Sequence, residues 1–318
     1  MDSPNNTIGS VKIGVIGVGH LGKHHARIAA QSSLQFAGVY DTDTNRAREI
    51  AGKWNVHAYS DMHSLLGDVD AVIIATPAST HHQIASTALN NGCHCLVEKP
   101  LAADYSSADD LVRLADSKSL VLAVGHSERF NALIEKADGL VQNPLYIEAT
   151  RLGSFPGRGA DVDVVKDLMV HDLEIILNWV GDYPSDVKAV GVAVITTTVD
   201  IANVRLEFPH GAVANLTASR ASFSPVRAIR LFQHGTYISV DLKGGTIRQV
   251  HKTETGLEVN EERVEGPEPL QIEHEDFISA VTGGIAPRVS GKEGARAIKL
   301  AEEITTEISD RLRAVSTS

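Results

Sequence analysis

The 318-residue chain has no apolar run of membrane-spanning length, no internal repeat, no low-complexity segment and only two cysteines. Each absence closes a class. A helical membrane span needs roughly 20 consecutive apolar residues. Solenoids and propellers need a repeating period, and none is present. Positive charge is also short: the net charge is -11. That excludes a general nucleic-acid binder, although a local site can still hold an anion. No signal peptide is visible, and the polar residues 1–10 are expected to form a loose tail of a cytoplasmic protein. Cys93 and Cys95 stand in Gly92-Cys-His-Cys-Leu-Val-Glu98, and strand alternation puts both on one face. No second ligand pair has suitable spacing, so they read as two buried thiols in a reducing compartment and no metal is expected.

What is present begins with Lys12-Ile-Gly-Val-Ile-Gly17-Val-Gly19-His20-Leu21-Gly22. The apolar run from Val11 to Ile16 reads as a strand buried on both faces. Gly17, Gly19 and Gly22 then fill G-x-G-x-x-G. The first permits the tight turn, the second lets backbone approach a pyrophosphate, and the third lets helix and strand pack closely. The anion would lie at the helix N-terminus, where N–H groups and the macrodipole favour it. A second apolar run, residues 34–40, ends in Asp41, placed to bind an adenosine ribose diol. Asp41 would repel a 2′-phosphate, which favours NAD over NADP; Arg46 stands close by. The cofactor-binding expectation covers Gly17, Gly19, His20, Leu21, Gly22 and Asp41, and it extends to Thr76, Pro77, His81, Glu98 and Lys99 at later strand ends.

Strand and helix alternate up to residue 124. Helices are expected near 46–54, 62–66, 80–91 and 106–117, and strands near 56–59, 71–75, 93–97 and 120–124. The alternation implies an α/β fold, a doubly wound parallel sheet with helices on both faces and ligands beyond the carboxyl ends of the strands. The pattern changes near Gly125. After helices near 131–141 and 164–179, with a strand at 146–152 between them, strands follow one another without helices from 187 to 250. That describes a second α/β domain, residues 125–318, built on a largely antiparallel open sheet. Its exposed face needs a cover, which suggests a homodimer or homotetramer through the sheet. Residues 253–269 read as an acidic loop, and helices near 272–281 and 293–313 close the chain.

Glu98-Lys99-Pro100 ends a strand inside the expected cleft. A Lys there can donate to a substrate hydroxyl and stabilise a developing alkoxide; a plain surface Lys is the alternative. Lys166-Asp167-Leu-Met-Val-His171-Asp172 puts Asp167 and His171 one helical turn apart. A carboxylate beside an imidazole fixes its tautomer and stabilises the imidazolium formed when it takes a proton. A structural hydrogen bond or a metal pair would use the same spacing. His24 and His25 read as helix-surface groups. His81 lines the nicotinamide pocket or starts a helix. Arg129, Arg151, Arg158 and Lys166 are candidates to gather near an anionic substrate, with Arg129 and Arg151 placed first.

Together these motifs resemble the glucose-fructose oxidoreductase / inositol dehydrogenase / MocA family of NAD(P)-dependent sugar dehydrogenases. The resemblance runs over nearly the whole chain through four motifs in order: Gly17-x-Gly19-x-x-Gly22, Thr76-Pro77-x-x-x-His81, Glu98-Lys99-Pro100 and Asp167-x-x-x-His171-Asp172. It implies a Rossmann domain with an open-sheet α/β domain, dimers or tetramers, and Lys99, Asp167 and His171 as catalytic set. Within the family, His126-Ser-Glu-Arg129-Phe-Asn131 and the Asp167–His171 stretch are similar to UDP-N-acetylglucosamine 3-dehydrogenase-like members. These imply a sugar or nucleotide-sugar substrate oxidised at the C3 hydroxyl, with inositol or aldose dehydrogenation and a catalytically silent regulator as alternatives. Two departures stand out. Asp161-Val-Asp-Val-Val-Lys166 replaces the family's glycine run, and Ala132 stands where Pro is expected.

Overall fold

The computed structural model describes residues 11–155 and 162–316. Arg158 and Asp161, and the tail at residues 1–10, lie outside the described residues. The chain divides into two compact units. One runs to Ser127 and regains Glu268–Arg296; the other is Glu128–Pro267 with the chain from Ala297 onward. The return of Glu268–Arg296 to the first unit differs from the two continuous domains expected from sequence.

The first unit is a six-stranded parallel sheet: β1 Lys12–Ile16, β2 Gln35–Tyr40, β3 His57–Ala58, β4 Ala71–Ile74, β5 His94–Glu98 and β6 Leu122–Gly125. Its order is β3-β2-β1-β4-β5-β6, the doubly wound dinucleotide-binding order. The order reverses between β1 and β4, and the crevice at their carboxyl ends is where ligands bind in such sheets. Ile13, Val15, Ile73 and Ile74 are fully buried, as strands covered on both faces require.

The helices are α1 Gly22–Gln31, α2 Thr44–Trp54, α3 Met62–Leu66, α4 Ala78–Asn90 and α5 Tyr105–Lys118. Asp43, Asp61 and Asp104 cap α2, α3 and α5, accepting backbone N–H groups of the first turn. The start of α1 has no side-chain cap. Two glycines set it instead. Gly17 has φ +82°, and a Cβ on Gly22 would stand 1.8 Å from the Gly17 carbonyl oxygen.

Two further helices lie in the second unit, α6 Ala132–Asp138 and α7 Val170–Val180. Helix α8, Pro269–Gly283, explains the return to the first unit. Its Phe277 and Ile278 are buried in the same cluster as Val11, Ile13 and Ala29. Helix α9, Gly291–Ser316, closes the chain.

The second unit holds an eight-stranded sheet: β7 Tyr146–Leu152, β8 Asp186–Val192, β9 Ile201–Glu207, β10 Val213–Ser219, β11 Val226–Gln233, β12 Thr236–Asp241, β13 Thr246–Thr253 and β14 Gly256–Arg263. The order is β14-β13-β12-β11-β7-β10-β9-β8. Only β7 and β10 pair in parallel; the other neighbours are antiparallel. Burial alternates along β7, β9 and β10, so one face carries the core. Ile147, Ala149, Val204, Leu206 and Leu216 pack there with Ile175 and Ile176 of α7 and Ile304 and Ile308 of α9.

Residues 253–269 are not all loop. β14 pairs along its length with β13, and every residue of it is exposed. Its Leu257 and Val259 bury nothing, and the hairpin is held by backbone pairing and by ion pairs such as Arg248 Nε–Glu261 Oε2 at 2.7 Å. A strand with no buried face gives no apolar alternation by which to find it.

Replacing Gly22 by Ala puts a methyl carbon inside a backbone oxygen's radius. Thermal or urea unfolding of Gly22→Ala is expected to show a loss of about 1–3 kcal/mol or more, the scale of overpacking.

Candidate functional site

In the first unit the glycine loop joins three strand ends. The Gly17 amide donates to the Tyr40 carbonyl at the end of β2, 2.8 Å away. Asp41 follows, with one carboxylate oxygen accepting the Val18 amide and the other the Asp43 amide, each at 2.8 Å. A carboxylate has about four acceptor directions, so these two bonds leave capacity for a diol. Arg46 Nη1 lies 3.5 Å from Asp41, so a cation stands against this carboxylate. A Cβ on Gly17 would strike Thr76 and the Ala75 carbonyl, and one on Gly22 would strike Gly17. A Cβ on Gly19 would meet nothing within 4 Å. Packing explains the first and third glycines but not the second. The open space at Gly19, beside an uncapped helix start with no acidic residue in its first turn, fits a pyrophosphate.

The ends of β4 and β5 are tied together by His81. It is buried, its Nδ1 lies 2.7 Å from the Pro100 carbonyl and its Nε2 lies 2.8 Å from the Thr76 carbonyl. His81 therefore acts as a strap from the Thr76-Pro77 turn to the Lys99-Pro100 turn, whose peptide bond is cis. Lys99 donates its amide to Glu98 Oε2 at 3.1 Å, and Glu98 Oε1 meets His25 Nε2 at 2.8 Å. Gly125 on the next strand keeps room for this carboxylate; a Cβ there would come within 3.1 Å of it.

In the second unit, Val165–Met169 forms a π-helical turn that leads into α7. Asp167 is in the wide turn and His171 is in the first turn of α7, so the expected single α-helix is interrupted between them. Such turns are uncommon and recur at functional sites. His171 is half-buried, and its Nδ1 is shielded from solvent.

The neighbouring arginines are held in ion pairs. Arg151 is buried and grips Asp172 through Nε at 2.9 Å and Nη2 at 2.7 Å, and Glu128 through Nη1 at 2.8 Å. Burial raises the Asp172 carboxyl above its ordinary value against the pull of Arg151. Arg129 is buried between Asp138 at 3.0 Å and Glu174 at 3.2 Å. Both guanidinium groups, expected as substrate contacts, are engaged by carboxylates of their own unit. Helical spacing and charge alone could not show that Asp172 and Glu174 were waiting inside.

Sequence reading also missed a buried group in the first unit. His25, expected on the surface, is fully buried, and Glu273 and His274 of α8 are buried with it. The only local signal was a titratable pair, Glu273 and His274, among the apolar residues of α8. Among the described residues, His25, Glu98 and Glu273 form one gathering of metal-ligand type, with their donor atoms within 4.8 Å of one another. The His25–Glu98 contact is already of hydrogen-bond length. Cys93 and Cys95 are free and buried; burial, then Asp70, pushes the Cys93 thiol up to about 11. A groove of about 420 Å³ between α1 and α8, lined by Arg27, Ile28, Gln271 and His274, contains none of the motif residues and is not the candidate site.

The sheet order, the glycine loop and Asp41 define a dinucleotide-binding oxidoreductase. Residues 11–126 match the model of an oxidoreductase family with an NAD-binding Rossmann fold. The chain is 40% identical over 306 residues to UDP-N-acetylglucosamine 3-dehydrogenase of Acidithiobacillus ferrooxidans, covering 94% of this chain and 97% of that protein. The structure of that enzyme, GnnA, superposes with a TM-score of 0.90 at 38% identity, over 94% of this chain and 98% of the other. Myo-inositol 2-dehydrogenase of Thermotoga maritima is 26% identical, over 91% and 94%. The chain belongs to the glucose-fructose oxidoreductase / inositol dehydrogenase / MocA family.

The glycines separate in a test. Gly19→Ala is expected to keep wild-type thermal stability, because nothing stands where its methyl would go, yet to weaken dinucleotide binding by about tenfold or more through crowding of the pyrophosphate. Fluorescence titration with NADH, read beside the melting curve, checks both halves.

Proposed function

We propose that this protein oxidises a secondary hydroxyl of a sugar, C3 of a UDP-N-acetyl amino sugar, with NAD as acceptor. The observation that carries the reading is 40% identity along 94% of the chain to an enzyme with that activity, joined to the ordered motifs at Gly17, Thr76, Lys99 and His171. When bound, the nicotinamide supplies a hydride acceptor. The remaining work falls to this chain. Lys99 polarises the reacting oxygen and steadies negative charge on it. His171 takes the hydroxyl proton, the usual task of a positioned imidazole. Asp167 orients His171 or holds a neighbouring hydroxyl.

Asp41 supports NAD over NADP, and Arg46 at 3.5 Å moderates that choice. A homodimer or homotetramer through the sheet of the second unit is part of the same reading. Val190, Val192, Ile201 and Phe232 are exposed on it, and a cytoplasmic setting suits the nucleotide substrates. Arg129 and Arg151 serve as framework for the catalytic helix.

Lys99→Ala and His171→Ala are each expected to lower kcat by about 10²-fold or more while NAD binding stays within about twofold. The assay is NADH absorbance with a panel of UDP-sugars, inositols and aldoses, with 2-oxoglutarate present in one arm to recycle reduced cofactor. Turnover by both variants at the wild-type rate would overturn the roles. Turnover with inositol alone would move the substrate to the second relative's class, and none with any sugar would leave a dinucleotide-binding regulator. Separately, Asp41→Ser is expected to raise the NADP-to-NAD ratio of kcat/KM by about tenfold, the weight of one lost charge repulsion.

A further inference from the structure

Four titratable side chains from three elements meet inside the first unit, directly behind Lys99. His25 lies on α1, Glu98 ends β5, and Glu273 and His274 lie on α8. All four are at least nine-tenths buried. His274 Nε2 is 2.8 Å from His25 Nδ1, and His25 Nε2 is 2.8 Å from Glu98 Oε1. The two imidazoles stack at 5.1 Å.

The proton order follows from the acceptors. Ionised Glu98 can only accept, so His25 donates from Nε2. Neutral His274 stands on the other side of the His25 ring, its Nε2 2.8 Å from Nδ1. The second Glu98 oxygen holds the Lys99 amide at 3.1 Å. Burial opposes ionisation of Glu98, but His25 and the Lys99 amide and charge outweigh it, and its carboxyl lies below the ordinary value. Burial first, then His25 and Arg27, hold His274 well below the ordinary imidazole range, hence neutral.

Glu273 completes the group. Both its oxygens are shielded from solvent and have no hydrogen-bond partner. It faces Glu98 and His25, with Asp276 further along α8. Burial, then Glu98 and Asp276, push its carboxyl well above the ordinary value. A second carboxylate beside Glu98 would face a like charge in a dry setting.

We propose that His25, Glu98, Glu273 and His274 form a seat that fixes the Lys99 main chain through the Glu98 carboxylate, making the docking of α8 a condition for catalysis. The seat rests on the reading of Lys99 as catalytic. Its members are positioning residues: one negative charge is held on Glu98, and Glu273 is kept as a neutral acid. A proton rather than a cation lies between His25 and Glu98, because 2.8 Å is the length of a direct hydrogen bond.

The first test is Glu98→Gln, which keeps the shape but offers one oxygen where two donors converge. It is expected to lower kcat about 10–100-fold, the cost of misplacing a catalytic group by a fraction of an ångström, with NAD Kd within about twofold. His274→Gln, which can still hydrogen-bond to His25, is expected to exceed His274→Leu in kcat by at least about fivefold. This pair serves if Glu98→Gln does not fold. The second test does not use activity. A carboxyl raised in the folded state binds more protons there than in the unfolded chain, so its contribution falls as pH rises from its unfolded value of ~4.3 through the folded one. Melting temperatures of Glu273→Gln and wild type should therefore diverge in favour of the variant as pH rises above the unfolded value.

Equal melting profiles, or full kcat in Glu98→Gln while Lys99→Ala is inactive, would overturn the seat. So would a stoichiometric divalent metal in the purified protein, removable by chelator. Full kcat in Lys99→Ala would instead sink the catalytic reading, and the divergence of the melting profiles would survive it.

Discussion

The first unit depends on one close approach, that of residue 22 to the carbonyl oxygen of Gly17. With only 1.8 Å for a Cβ, the start of α1 lies directly against the turn that leaves β1. No side chain caps the helix there, so none competes with an anion for the place before its first turn. The same placement has a second effect further along α1. His25, three residues after Gly22, is carried inward onto Glu98 at the end of β5. One helix position therefore serves both the dinucleotide and, through Glu98, the Lys99 turn. A shift of α1 would disturb the glycine loop and the Lys99 turn together.

Much of this was legible before any coordinates. The parallel sheet followed from regular strand–helix alternation, because a parallel pair needs a crossover and the crossover is normally a helix. The antiparallel sheet followed from strands with short turns between them, and β7 runs from Tyr146 to Leu152 as expected. The strand ends at Asp41, Thr76 and Lys99 were placed by the same logic. What could not be read was partnership across long sequence distance. Phe277 packs with Ile13 in one core, yet nothing near residue 277 says which sheet will receive it. His25 and His274 are 249 residues apart, and each alone looks like a solvated group on a helix. β14 was invisible for the opposite reason, having no buried face to leave a pattern.

The arginines illustrate a related limit. A charged residue near a motif invites a functional reading, since an uncompensated buried charge is costly. The cost also drives pairing. Arg151 with Asp172 and Glu128, Arg129 with Glu174 and Asp138, and Arg220 with Asp200 each meet it inside the second unit. Asp172 adjoins His171 in sequence, so its bidentate bond to Arg151 helps fix the start of α7 from the sheet side. Holding the helix that carries the imidazole is a role distinct from contact with a substrate.

That distinction changes how loss of activity should be read. Breaking a buried ion pair by removing one partner costs about 3–5 kcal/mol, a large part of the ~5–15 kcal/mol by which a domain is stable. An inactive Arg151 variant would therefore carry little information about substrate contact unless its stability were measured with it. Lys99 and His171 belong to a different regime. Both are sited where a strand ends or a helix begins, on elements held by other residues: His81 and Glu98 for the first, Arg151 and Asp172 for the second. Chemistry assigned to side chains whose supports are separate can be removed with the scaffold left standing. This separation of reacting groups from the groups that hold them is what makes the proposed roles separable by experiment.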